Sequence, residues 1–347
     1  MGNTEKYFAA ANSGEGFYSL FDSVFDRKTL EKIYLLRGGP GTGKSTLMKK
    51  IGKRAEAEGL SVHYVPCSSD IDSLDGVIIP EKSTAVFDAT SPHSAEPVYP
   101  GAVEATAELY PALNGTVLRG RRDEIIALSE TAKKETSAAY EYLSAAAKMK
   151  REKISGAEYA FRQEKAARAA RRETSALCVG GTEKRRFISS IGKDGEKSLD
   201  TYLHLAKTKI AVTDKFGLGH VLLRLILDFS HERGAHCTVF SDPVTPEYPE
   251  ALWFENDGVY FFIDVGGDTE SDKRLNIMRF VSAKKLAAVR GRLRFAARCE
   301  TALKEGAVTC FSRAADCHRG LEEIYSSAMD FRFADVLAER IISEIFG

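Results

Sequence analysis

The stretch "IYLLRGGPGTGKSTLM", residues 33–48, constrains the fold of this chain more than any other. Its core, Gly38 to Ser45, satisfies the pattern G-x-x-x-x-G-K-[ST] at every fixed position. Glycines let a backbone wrap around a phosphate with its N–H groups turned inward, in dihedrals that side chains disfavour. The helix that follows, starting near Lys44, aims its positive end at the anion. Lys44 would then reach the β- and γ-phosphates, and the Ser45 hydroxyl would ligate magnesium. The context fits. "KIYLL" reads as a short strand, and "STLMKKIGKRAEAEG" reads as a helix stopped at Gly59. The motif therefore predicts that Gly38, Gly39, Pro40, Gly41, Thr42, Gly43, Lys44, Ser45 and Thr46 hold nucleotide phosphates.

Two further strands are expected, from about Leu60 to Pro66 and from Thr84 to Asp88. A strand ending in Asp commonly supplies the second magnesium contact in phosphate-loop proteins. Asp88 thus joins Ser45 as a metal ligand candidate, and Lys44 and Asp88 are the catalytic candidates. No Glu follows Asp88 directly. Thr90, His93 and Glu96 are the nearest polar groups on that loop, and "TSPHSAEP" also reads as a plain surface loop. No guanine-reading motif is present, which favours ATP, with Mg2+, over GTP.

A second stretch, "KIAVTDKFGLGHVLLR" at 209–224, repeats the frame of the first. An offset of 176 carries Gly41 to Gly217, Gly43 to Gly219, Lys44 to His220 and Asp88 to Asp264. The likeness extends outwards to "FAAANSGEGFYSL" against "FISSIGKDGEKSL", and to "ISGAEYAF" against "IYSSAMDF". Repetition at this scale implies duplication. The chemistry is not repeated. Asp214 stands for Gly38, Lys215 for Gly39, His220 for Lys44 and Val221 for Ser45. The second loop is therefore expected not to bind Mg-ATP.

From about Arg121 to Leu177 the chain is rich in Ala, Glu, Lys and Arg, and Ile125, Leu128, Ala132, Tyr140, Leu143 and Ala147 recur at helical spacing. Gly156 is a candidate break. Residues 150–186 carry eleven basic and five acidic side chains, which reads as a solvated face. Lys+Arg and Asp+Glu are both 49 in the 347 residues, so a generally basic, nucleic-acid-coating protein is not expected. Arg119, Arg121 and Arg122 either begin a solvent-facing helix or supply a cation to a transferring phosphate. No run of 18 apolar residues suggests a membrane span, and no secretion signal is visible. The six cysteines are scattered, which fits a reducing, cytoplasmic setting, and Cys310, Cys317 and His318 make only weak metal spacing.

With the complete loop, the repeat and the phrases "FDSVFD", "PCSSDIDSLDGVIIPE" and "AMDF", the chain resembles a family of bacterial tandem P-loop proteins, usually called ATPases or nucleotide-kinase-like proteins. The resemblance implies ATP binding at Gly38–Thr46 and a second, P-loop-like half. The fold class expected is an α/β P-loop NTPase of two duplicated three-layer α/β/α units, each with a helical extension, the second loop degenerate. The expected boundaries are 1–185 and 186–347. Three functions compete: an ATP hydrolase or switch, a small-molecule or nucleotide kinase, and an ATP-sensing module that recruits a partner. The kinase reading would use Ser68, Ser69, Asp70, Asp72 and Asp75 as acceptor-site residues on a polar loop.

Overall fold

Ile33 and Leu35 face one way along the strand before the glycine loop, and Tyr34 and Leu36 face the other; all four are buried. A strand buried on both faces belongs in the interior of a covered sheet. The computed structural model, which describes residues 2–92 and 95–347, places it there.

The first half runs β1 (Thr4–Lys6), β2 (Ala10–Ser13), β3 (Gly16–Ser19), α1 (Phe21–Val24), β4 (Lys32–Arg37), α2 (Lys44–Ala57), β5 (Val62–Pro66), β6 (Leu74–Ile79), β7 (Thr84–Asp88) and β8 (Glu104–Glu108). It continues into α3 (Gly115–Gly120), α4 (Arg122–Glu158) and α5 (Gln163–Thr174). The second half runs β9 (Lys184–Arg186), β10 (Ser189–Gly192), β11 (Gly195–Ser198), α6 (Thr201–Leu205), β12 (Thr208–Thr213), α7 (Gly219–Glu232), β13 (Thr238–Ser241), β14 (Pro249–Phe254), β15 (Val259–Asp264) and β16 (Lys273–Asn276). It ends in α8 (Ala283–Ser327) and α9 (Phe331–Phe346).

Each half contributes a six-stranded mixed sheet. The first has the order β1-β5-β6-β7-β4-β8. There β4 lies parallel to both β7 and β8, and β6 runs antiparallel to both β5 and β7. The second sheet, read from its other end, is β9-β13-β14-β15-β12-β16, with the same sense at every pairing.

The sequence expectation located β5 and β7 but read residues through Gly76 as a loop. The polar loop in fact ends at Ser73, and Asp75 lies within the buried strand β6. Gly76 is what the packing requires there, because a Cβ at that position would lie 2.3 Å from the Phe25 ring. The helical extension also differs in detail. α4 runs unbroken through Gly156, and the break comes between Glu158 and Gln163.

The long helices α4 and α8, of 37 and 45 residues, lie side by side. Glu135 meets Arg313, Lys153 meets Glu300 and Glu152 meets Arg292, so the two run antiparallel. Each therefore starts in its own half and ends in the other. Its last short helix packs there. Ala166, Ala169 and Ala170 of α5 join Leu222, Leu223 and Ile226 of α7 in one core. Leu337, Ala338, Ile341 and Ile345 of α9 join Leu47, Met48, Ile51 and Ala55 of α2 in another. The outer layer of each sheet thus combines one helix of its own half with one from its neighbour. The expected second helical layer is reduced to the short α1 and α6. The inner faces of the two sheets instead share a core, in which Ile33, Leu35 and Phe87 lie with Phe240, Trp253 and Phe262.

Reciprocal contacts tie the halves at matching points. Phe8 and Phe187 exchange backbone hydrogen bonds of 2.8 and 3.0 Å. Leu113 bridges to Met329, and Phe161 bridges to Val281. A buried ion pair, Lys150 of α4 with Asp242, adds a charged tie between the halves. No helix among the described residues is long and apolar enough to cross a membrane.

Candidate functional site

β4 and β7 are parallel neighbours, with Leu36 opposite Asp88, so both deliver their C-terminal residues to the same edge of the sheet. The loop 38–43 joins β4 to α2, and Gly43 (φ 89°) is the residue on which the helix starts. Gly41 (φ 66°) also takes the left-handed conformation that favours glycine. Thr42 is buried, and its hydroxyl donates to the Gly39 carbonyl at 2.8 Å.

Lys44 folds back over the loop. Its ammonium donates to the carbonyls of Gly38 and Gly39 at 2.8 and 2.9 Å and stands 3.5 Å from the Asp88 carboxylate. The other Asp88 oxygen accepts from the Thr90 amide and hydroxyl at 2.9 and 2.6 Å. Ser45 Oγ accepts the Leu74 N–H at 3.0 Å. Lys44 and Asp88 therefore meet at the start of α2, where Ser45 is the next helical residue.

The remaining sequence candidates are engaged elsewhere. Glu96 pairs with Arg37 at 2.7 Å. Arg119 bonds Thr116, Arg121 pairs with Glu124 and Arg122 with Asp123, all on an exposed helix start. His93 lies outside the described residues. The 67–73 loop meets the second half at two points, where the Ser68 carbonyl accepts the Ser190 hydroxyl and Asp70 pairs with Lys193 at 2.7 Å, while Ser69 Oγ accepts from Asn12 of β2.

Three residues of this region lie in stretches quoted from the sequence, but nothing in the sequence placed them at the loop. Ser326 Oγ, at the end of α8, donates to the Gly41 carbonyl at 2.9 Å. A Cβ on Gly39 would lie 2.8 Å from the Tyr325 ring, and one on Gly43 would lie 4.0 Å from the Phe331 ring. The loop of the first half is thus braced by the arm of the second. Their spacing from the loop, about three hundred residues of chain, is what hides them: hydrophobic periodicity reports on local neighbours, and only the folded arrangement brings such residues together.

The second loop is arranged differently. The Asp214 carboxylate is buried and accepts the N–H groups of Phe216 and Gly219, each at 2.9 Å. It occupies the concave face of its own loop. His220 is buried and bonds the Pro249 carbonyl at 2.8 Å. Burial, then the nearby Lys150 ammonium, push its pKa down, so it is neutral at pH 7. Burial alone would raise the Asp242 carboxyl; Lys150 and His220 outweigh it and hold that group well below the usual carboxylate range. Val221 stands where Ser45 does, and β14 begins with Pro249 where β6 begins with Leu74. The hydroxyl and the amide N–H that it accepts are absent together, so the change strands no donor. Asp264 pairs with Arg274 at 2.8 Å and accepts from the amides of Gly267 and Thr269.

Among the described residues one further group could hold a cation. Glu183, His231 and His236 bring ligand atoms within 4.8 Å of one another, with His231 3.1 Å from Glu183. The chain matches no family model, no curated protein and no solved structure.

Proposed function

We propose that the chain is a duplicated P-loop NTPase that binds one Mg-ATP, in its first half, and hydrolyses it slowly. The observation that carries this reading is the meeting of Lys44 and Asp88, 3.5 Å apart, at the start of α2 beside Ser45 of the complete motif. The N–H groups of loop 38–46 and the end of α2 would hold the phosphates. Lys44 would leave its two loop carbonyls for the more strongly charged β- and γ-oxygens. Ser45 and Asp88 are oxygen donors, the class magnesium prefers. Bound magnesium would neutralise charge on the β- and γ-phosphates.

Slow turnover follows from what surrounds Asp88. The next residue, Ala89, spends its N–H on the Leu36 carbonyl, and the Thr90 hydroxyl donates to Asp88 itself. Neither offers a free base to a water. Such a site suits a nucleotide-dependent switch better than a fast hydrolase. The kinase reading is disfavoured because Ser68 and Asp70 of its acceptor loop are committed to the second half.

The matched strand orders and the reciprocal contacts support duplication. The second loop carries its own anion in Asp214 and has no hydroxyl for magnesium at Val221. Calorimetric titration with Mg-ATP should therefore give one site per chain. Binding should weaken at least about a hundredfold in Lys44→Ala, the scale expected when a phosphate is deprived of a charged hydrogen-bond donor. Asp88→Asn should cut magnesium-dependent phosphate release more than binding. Two sites in the parent, or parental binding in Lys44→Ala, would sink the assignment.

A further inference from the structure

We propose that the arm of the second half completes the nucleotide site, with the Phe331 ring stacking on the nucleobase of the ATP held by loop 38–46. The inference rests on the phosphate-site reading above and adds the nucleoside side to it.

The first argument is position. The Phe331 ring approaches the backbone of Gly43, the residue on which α2 starts, closely enough that a Cβ there would lie 4.0 Å from it. The magnesium that bridges the terminal phosphates would be held by Asp88 on β7, one flank of β4. The nucleoside must therefore leave toward the other flank, which is β8. The arm is anchored on that flank. Ala112 and Leu113 follow β8; Asp330 N–H donates to the Ala112 carbonyl at 2.9 Å, and Leu113 bridges to Met329.

The second argument is exposure. α9 buries Leu337, Ala338, Ile341 and Ile345, yet its first residue, Phe331, leaves 46% of its surface in water. The backbone that carries the ring is held by a helix cap. The Asp330 carboxylate caps the helix by accepting the Arg332 N–H at 3.0 Å. A rigid, half-exposed aromatic face beside a phosphate cradle is what base stacking requires.

The third argument is the internal control. α5 and α9 are the corresponding terminal helices, and the first residue of α5 is Gln163. The terminal helix of the first half therefore starts on a polar residue where that of the second half starts on an aromatic.

The test compares Mg-ATP with magnesium and inorganic tripolyphosphate, which has the phosphate chain but no base. Calorimetry on the full chain should show Phe331→Ala weakening Mg-ATP about tenfold or more, the scale of removing one aromatic stacking partner from a base. Tripolyphosphate affinity should not change, and Phe331→Tyr should restore ATP binding. The ring's exposure means that Phe331→Ala should melt like the parent. Equal weakening of both ligands would show a role in bracing the loop and would overturn stacking, as would parental ATP affinity in Phe331→Ala. Failure of the phosphate-site reading looks different: the parent would then bind neither ligand, or Lys44→Ala would bind both as the parent does.

Discussion

The carboxylate of Asp214 makes a prediction about single residues. It satisfies the buried N–H groups of Phe216 and Gly219. Asp214→Ala removes the acceptor that both donors share, at a cost of about 1–3 kcal/mol. Denaturant unfolding should show a lower midpoint with an unchanged slope, and added phosphate should recover part of the loss by binding in the vacated loop. An unshifted midpoint would mean that water replaces the carboxylate without penalty. The sequence exposed the substitution but not where the carboxylate points. In the structure it accepts two N–H groups of its own loop. Charge is legible in a sequence; the direction of a side chain is not. Lys44, Ser45 and Asp88 stood out as candidates because the motif sets residue types at fixed spacing and the strand pattern placed Asp88 at the end of β7.

At the scale of elements, α8 ends on the glycine loop. The Tyr325 ring lies where a Cβ on Gly39 would come to 2.8 Å, so Gly39 is needed for that approach. Gly39→Ala should displace either the ring or the loop and weaken Mg-ATP binding. Tyr325→Ala in the same chain should return much of the loss, because the clash is then gone. We expect a coupling of roughly 1–3 kcal/mol between the two sites, read as the difference between double and single variants in calorimetry. A purely additive pair would place the cost of Gly39→Ala on the ligand side of the loop. The helices themselves were legible from composition and apolar spacing. Their partners were not, because an Ala-rich stripe such as that of α5 shows that one face is buried without showing against what. Strand β6 was illegible for a different reason: Asp75 and Gly76 are poor strand residues, tolerated because Phe25 fills the space above the glycine.

The whole molecule is interlocked, and this decides whether its halves can stand alone. The sequence repeat led to an expectation of two consecutive domains, 1–185 and 186–347, each with its own helical extension. The two sheets have matching strand orders, but each extension serves the other sheet. Without α9, Leu47, Met48, Ile51 and Ala55 would lose the cover of Leu337, Ala338, Ile341 and Ile345. Without α5, Leu222, Leu223 and Ile226 would lose that of Ala166, Ala169 and Ala170. Cutting between Gly180 and Gly181, in the connection from α5 to β9, therefore leaves two chains that each expose an apolar face and carry the missing cover for the other. Burial of several large side chains at about 1.5–3 kcal/mol each is comparable with the net stability of a domain. Fragments 1–180 and 181–347 should accordingly fail to give cooperative melts as isolated monomers. Mixed or co-expressed, they should form a one-to-one complex with parental helix content, because α4 and α8 still pair and each terminal helix still reaches its sheet. Sedimentation and circular dichroism would follow both outcomes. A fragment that stays monomeric and melts cooperatively near the parental temperature would show that the arms are accessories, and that the halves fold as the sequence repeat alone suggested.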